Sequence, residues 1–212
     1  MKKMKKLFVL ILCFAFAVNL FTMPQNVQAK NKNTLKSKVT ATYKKTQTGI
    51  LVIYKNKNKK NVHIKGTVCF RDASKKNISK ETQENLCLGA KSTAAFFFAA
   101  PRDENGDCVS YTSYSGKYSV SKSGYKSSAS KIKVNSQLDV VDAKFVAVNE
   151  SAKKLSHIHA TFVFYNSSGS IGRCFTKELT CYKPADIEQF SIQYPDDMQN
   201  PSKVKVYIDW AY

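Results

Sequence analysis

Ser156 to Asn166 reads SHIHATFVFYN, and Val62 to Asp72 reads VHIKGTVCFRD. Both alternate. In the earlier stretch Ile64, Gly66, Val68 and Phe70 fall on one side, and His63, Lys65, Thr67 and Cys69 on the other. In the later one Ile158, Ala160, Phe162 and Phe164 share a side. A period of two marks a β-strand with one buried face. The two stretches are also copies. At a shift of 94 residues, Leu51-Val52 meets Phe145-Val146, Lys59-Lys60 meets Lys153-Lys154, and His63-Ile64 meets His157-Ile158. Glu84 then meets Glu178, Cys87 meets Cys181, Phe96 meets Phe190 and Pro101 meets Pro195. A duplication of this size predicts two small domains; a solenoid needs three or more repeats.

Working outward, each copy offers further short strands with turn signals between them. Ile50 to Tyr54 and Thr93 to Ala99 are β-branched or aromatic runs, and Tyr118 to Ser121 can supply a last strand. Ser79 to Leu86 fits either a helical turn or a crossing strand. The second copy repeats the pattern, with Asn166 to Gly169 as a hairpin turn and Lys203 to Trp210 closing the sheet. This spacing predicts an all-β protein of two tandem antiparallel β-sandwich domains, over 36–121 and 131–212. Residues 122–130 are rich in Ser, Gly and Lys, the composition of a linker, although Tyr125 and the short length also suit a packed joint.

The amino end has a different character. MKKMKK is followed by an apolar run from Leu7 to about Phe21 and by Val27-Gln28-Ala29. A basic head, a short apolar middle and a small-residue exit predict a cleaved signal peptide over 1–29, hence a secreted protein. No later apolar run is long enough to span a bilayer, so the mature chain is expected to have no transmembrane segment.

Charge narrows the partners. The sequence carries 34 Lys and Arg against 15 Asp and Glu. Loss of the four head lysines leaves 30 basic residues, about +15. That balance favours an anionic cell-wall polymer or glycan, and equally serves plain solubility. Nucleic acid is disfavoured, because only Arg71, Arg102 and Arg173 could provide the guanidinium forks of base recognition. Lysines crowd the turn after the first strand and its copy: Lys55, Lys57, Lys59, Lys60, Lys153 and Lys154 are the candidate binding residues.

Catalytic and metal chemistry find little support. His157 and His159 lie two apart on a strand, a spacing able to hold a metal, but no third ligand is evident and Lys65 stands where His159 does in the other copy. Asp103, Asn105 and Asp107 imitate a calcium loop, yet Gly106 is misplaced and Tyr114 occupies the position of the bidentate acid. No nucleophile motif or paired-carboxylate signature is present. We therefore expect no cofactor, no metal and no enzyme. Beyond the signal peptide lie Cys69, Cys87, Cys108, Cys174 and Cys181, an odd count. Disulfides within each copy (Cys87–Cys108, Cys174–Cys181) and buried free thiols are both compatible with it.

ATFVFYNSSGSIG and the following KPADIEQFSIQYP resemble the FxLYD-type domain, through Phe164, Tyr165, Asn166, Gly169, Pro184 and Phe190. The first copy departs from that outline, with Arg71 in place of the tyrosine and Gly89-Ala90 where Pro184 should be. The resemblance implies an immunoglobulin-like sandwich of secreted and surface proteins of Gram-positive bacteria, without catalytic residues. Together these readings predict a non-catalytic secreted or cell-surface module that binds anionic polymer through lysine-rich loops. The alternatives are a protein-protein interaction module for adhesion, inhibition or assembly, using a sheet edge or Tyr111, Tyr114 and Tyr118, and, behind it, a metal-binding domain.

Overall fold

The computed structural model describes residues 34–196, 198 and 201–212. The signal peptide expected over 1–29 lies outside them. No α-helix occurs among the described residues, and no helix is long and apolar enough to cross a membrane. Among the described residues twelve strands form four antiparallel three-stranded sheets. In the first unit β1 (Val39–Thr46), β2 (Gly49–Asn56) and β5 (Thr93–Ala99) pair in the order β1-β2-β5. They face a sheet ordered β4-β3-β6, made of β3 (Val62–Arg71), β4 (Asn77–Leu88) and β6 (Ser113–Lys122). The ambiguous stretch at Ser79 is thus strand.

The second unit repeats this topology. β7 (Ile132–Leu138), β8 (Asp142–Asn149) and β11 (Ile187–Gln193) form the sheet β7-β8-β11. β9 (Ile158–Tyr165), β10 (Ile171–Glu178) and β12 (Lys203–Ala211) form β10-β9-β12. Each sandwich has its own core. Ile50, Val52, Tyr54, Ile64, Val68, Phe70, Phe96 and Phe98 fill the first. Ala143, Phe145, Ala147, Ile158, Phe162 and Phe164 fill the second.

Those cores correct the repeat register at one strand. Val52 pairs with Phe96, and Phe145 with Phe190. Since Phe96 and Phe190 are equivalent, Val52 matches Phe145 at a shift of 93, and Leu51-Val52 does not superpose on Phe145-Val146. Asn149 to Ile158 spans one residue more than the equivalent Asn56 to Ile64. A slip of one residue turns a strand's other face inward, and Leu51 indeed points away from its own core, into a third cluster.

That third cluster is the joint between the units. Leu51 and Ala95, with Ile53 and Phe97, meet Val163, Cys174 and Tyr207, with Tyr165 and Ile171. The outer face of β10-β9-β12 therefore packs on the outer face of β1-β2-β5. The connector is held as well: Ser123 Oγ donates to Leu86 O at 2.6 Å, Ser128 N donates to Ala211 O at 2.7 Å, and the Tyr125 and Tyr212 rings lie 4.3 Å apart.

A polar network crosses the joint. The ladder slips at a bulge between Ile208 and Trp210, so Asp209 and Trp210 both leave the second core. Asp209 is fully buried and accepts from Ala95 N at 2.7 Å, Thr161 Oγ1 at 2.6 Å and His159 Nδ1 at 2.9 Å. The main-chain oxygen of Asp209 accepts from Asn85 Nδ2. Ala95 lies on β5, an edge strand, where alternate residues turn their N–H and C=O outward. Asp209 thus satisfies the Ala95 N–H that a neighbouring strand would otherwise take, and the single Thr161 hydroxyl hydrogen is shared between Asp209 and Ala95 O, 3.1 Å away.

The duplicated cores share volume differently. Tyr54 fills the first core where Ala147 stands in the second, and Gly66 lies opposite where Ala160 stands. A Cβ added at Gly66 would collide with the Tyr54 hydroxyl. The Tyr54 ring is fixed between Phe96 at 5.0 Å and Tyr118 at 5.5 Å, so it has little room to yield. Gly66→Ala is expected to cost about 1–3 kcal/mol by overpacking. Tyr54→Phe in the same chain should restore most of it, as read by urea denaturation. An unrestored double variant would show that the hydroxyl is not the obstacle.

Candidate functional site

Two buried asparagines shape the basic end of the first unit. Asn56, at the end of β2, accepts from Asn58 N at 2.9 Å through Oδ1. Its Nδ2 donates to Lys60 O at 3.0 Å and to Gly89 O at 2.8 Å. Asn58 Nδ2 reaches Leu35 O at 3.1 Å. An asparagine folding the chain onto its own side chain in this way makes a tight turn. The lysines between are thereby turned outward. Lys57 N donates to Lys38 O at 2.8 Å, which brings a third segment alongside. Lys91 adopts a left-handed backbone, φ 58°, and its N donates to Asn58 O.

Lys38, Lys57, Lys59, Lys60 and Lys91 consequently line one hollow of about 540 Å³, with Thr34, Leu35 and Asn58. All five are exposed, and none forms an ion pair with an acidic side chain among the described residues. Five ammonium groups on a fixed frame give a positive field with no internal counter-charge, strongest for a ligand with several negative groups.

Of the candidates named from sequence, Lys57, Lys59 and Lys60 are brought together here. Lys55 is exposed on β2, outside the hollow's lining, and Lys153 and Lys154 lie on the matching loop of the second unit. That loop uses the same device: Asn149 Oδ1 accepts from Ser151 N at 2.9 Å, and Nδ2 donates to Tyr182 O at 3.0 Å. Its charges differ, however. Glu150 stands for Lys57 and Ala185 for Lys91; Ala185 has the same left-handed backbone, φ 63°. The frame is shared, and the full lysine cluster belongs to the first unit alone. Sequence reading missed Lys38 and Lys91, and the only available signal was the asparagine pair one residue short of the 94-residue shift.

The histidines divide between separate acids. His63 pairs with Glu84 at 3.2 Å and His157 with Glu178 at 3.3 Å, the same cross-strand pair in both copies. Lys65 also holds Glu84, at 2.6 Å, and keeps its carboxyl below the ordinary range. His159 instead turns to the buried Asp209 and stacks on Trp210, the rings 4.2 Å apart. His157 and His159 therefore share no ligand-like arrangement, and the described residues hold no cluster of three or more His, Cys, Asp or Glu able to grip a metal.

Cys69, Cys87, Cys108, Cys174 and Cys181 are all free thiols. Burial in the joint pushes the Cys174 thiol up to about 12, which keeps it protonated and unreactive at neutral pH. Tyr111, Tyr114 and Tyr118, named as aromatics for a protein partner, do not form an exposed set. They pack on the first core because they occupy inward positions or cover its rim. Tyr118 also donates to Val39 O at 2.8 Å.

No family model matches the chain, and no curated protein matches it. The crystal structure of red sea bream transglutaminase is similar at 11% identity and a TM-score of 0.28, over 87% of this chain and 34% of that one. This chain thus spans about a third of that enzyme's length, and a likeness so weak carries no argument.

Proposed function

We propose that this protein is a non-catalytic, secreted binding module that holds an anionic cell-wall polymer or glycan at the basic end of its first unit. The observation that carries the reading is the set of five unpaired lysines held on asparagine-fixed loops around one hollow. The secretory character of the amino end and the resemblance to FxLYD-type surface domains support the compartment.

The test is co-sedimentation with purified bacterial walls across a salt series. Binding should be strong at low ionic strength and fade as the screening length shortens. Changing Lys57, Lys59, Lys60 and Lys91 together to Gln should weaken it about 30-fold, since exposed ion pairs contribute roughly 0.5 kcal/mol each. The pair Lys153→Gln and Lys154→Gln lies outside the hollow and should change it less than about threefold. Binding that survives high salt, or that the quadruple variant retains, would rule the site out.

A further inference from the structure

We propose that the outer face of the β4-β3-β6 sheet is a second anion-binding surface, fitted to phosphate-type oxyanions along the same linear polymer. This rests on the binding reading above. Cross-strand register lays the face out as a grid. Lys117, Thr67 and Thr82 share one row, Ser115, Cys69 and Lys80 the row on one side, and Ser119, Lys65 and Glu84 the row on the other. Lys65, Lys80 and Lys117 open, with Thr67, Thr82 and Ser119, onto a hollow of about 410 Å³. Lys65 is engaged by Glu84, while Lys80 and Lys117 have no acidic partner among the described residues.

The duplication shows what this face is not. In the second unit the equivalent face is the one that docks on the first unit. There Cys174 stands for Lys80, Tyr207 for Lys117 and Val163 for Cys69, and all three are buried in the joint. Another apolar face docking on the first unit would bury two unpaired ammonium groups, at heavy cost. The lysine substitutions thus remove protein docking from this face and leave one that attracts anions.

The donors favour a tetrahedral group. Two free ammonium groups and hydroxyls rise from three different strands around the Thr67–Thr82 pair, whose oxygens lie 3.1 Å apart. Such a spread of donors matches the tetrahedrally splayed oxygens of a phosphate better than the two coplanar oxygens of a carboxylate. The strand between the two sites sets their separation. Lys60 to Thr67 is seven residues, or about 23 Å at ~3.3 Å per residue, with His63 and Lys65 along the way. A linear polyanion bound at one end is then held at high effective concentration over the other.

The probes are orthophosphate, inorganic polyphosphate and polygalacturonate, a carboxylate polymer, titrated into the wild-type protein, the quadruple lysine variant above, and Lys80→Gln with Lys117→Gln. These side chains face solvent, so folding should be unaffected. The double variant should bind polyphosphate about fivefold more weakly and lose the orthophosphate-induced amide shifts of Thr67, Thr82 and Ser119. It should leave polygalacturonate binding within about twofold. Wild-type polyphosphate affinity in the double variant, with a loss in the quadruple variant, would overturn the second surface and spare the first. Equal loss on both polymers would overturn the phosphate assignment. Orthophosphate binding as tightly per phosphate as the polymer would show an adventitious ion only. Unchanged binding in both variants would sink both sites.

Discussion

Asp209→Ala is expected to lower the unfolding free energy by about 2–4 kcal/mol, an effect larger than any surface substitution in this chain should produce. The change leaves Ala95 N–H buried without its acceptor at 2.7 Å and removes the acceptor of Thr161 and His159. At roughly 2–4 °C per kcal/mol for a chain of this size, the melting temperature should fall by about 4–16 °C. Asp209→Asn should cost under about 1 kcal/mol. Its oxygen still accepts from Ala95, its amide donates to Thr161 and His159, and the Thr161 hydroxyl turns to Ala95 O. Similar losses in both variants would mean that the network does not hold the joint.

The same pair has a pH signature. Burial raises the Asp209 carboxyl above its ordinary 3.8, against the lowering effects of His159, Thr161 and the Ala95 amide. A raised folded-state value means that the native protein holds the proton more tightly than the unfolded chain. The carboxyl's contribution is then fully present below 3.8 and is lost as pH rises through the raised value. Wild type should therefore lose stability relative to Asp209→Asn as pH climbs above 3.8. The opposite slope would show that the carboxylate is stabilised in the joint.

Phe145→Ala should be at least as damaging, at about 3–5 kcal/mol. The ring packs against Phe162 at 4.8 Å, Phe190 at 5.2 Å and Phe164 at 6.3 Å, so its removal opens a cavity among aromatic rings. Phe145→Leu keeps most of the volume and should cost about half as much. Chemical denaturation measures both. A loss under about 1 kcal/mol for the alanine variant would show a core able to close over the gap.

Legibility from sequence varied with the environment of each strand. β3 was readable because its two faces differ: Ile64, Val68 and Phe70 inward, Lys65 and Thr67 outward. β2 misled by one residue because it is buried on both sides. Ile50, Val52 and Tyr54 enter the core and Leu51 and Ile53 the joint, so the run ILVIY carries no phase. Asp209 reads as a surface acid of a closing strand; only the bulge and a foreign strand edge bury it. The site was half visible. Lys57, Lys59 and Lys60 are neighbours in sequence, whereas Lys38 and Lys91 join them only through loop hydrogen bonds.

The outward groups of β5 bear on the risk of self-association. Ala95 N–H is covered by Asp209 and Ala95 C=O by Thr161, while Phe97 C=O is covered by Gln83 Nε2 at 2.6 Å. An uncovered edge of this kind is a template for intermolecular pairing. The flanking segment, TAAFFFA, has the apolar, uncharged make-up of aggregation-prone stretches. The second unit therefore covers part of that edge, at Ala95. A proteolytic cut in the connector that released it would leave a fragment prone to fibrous self-association.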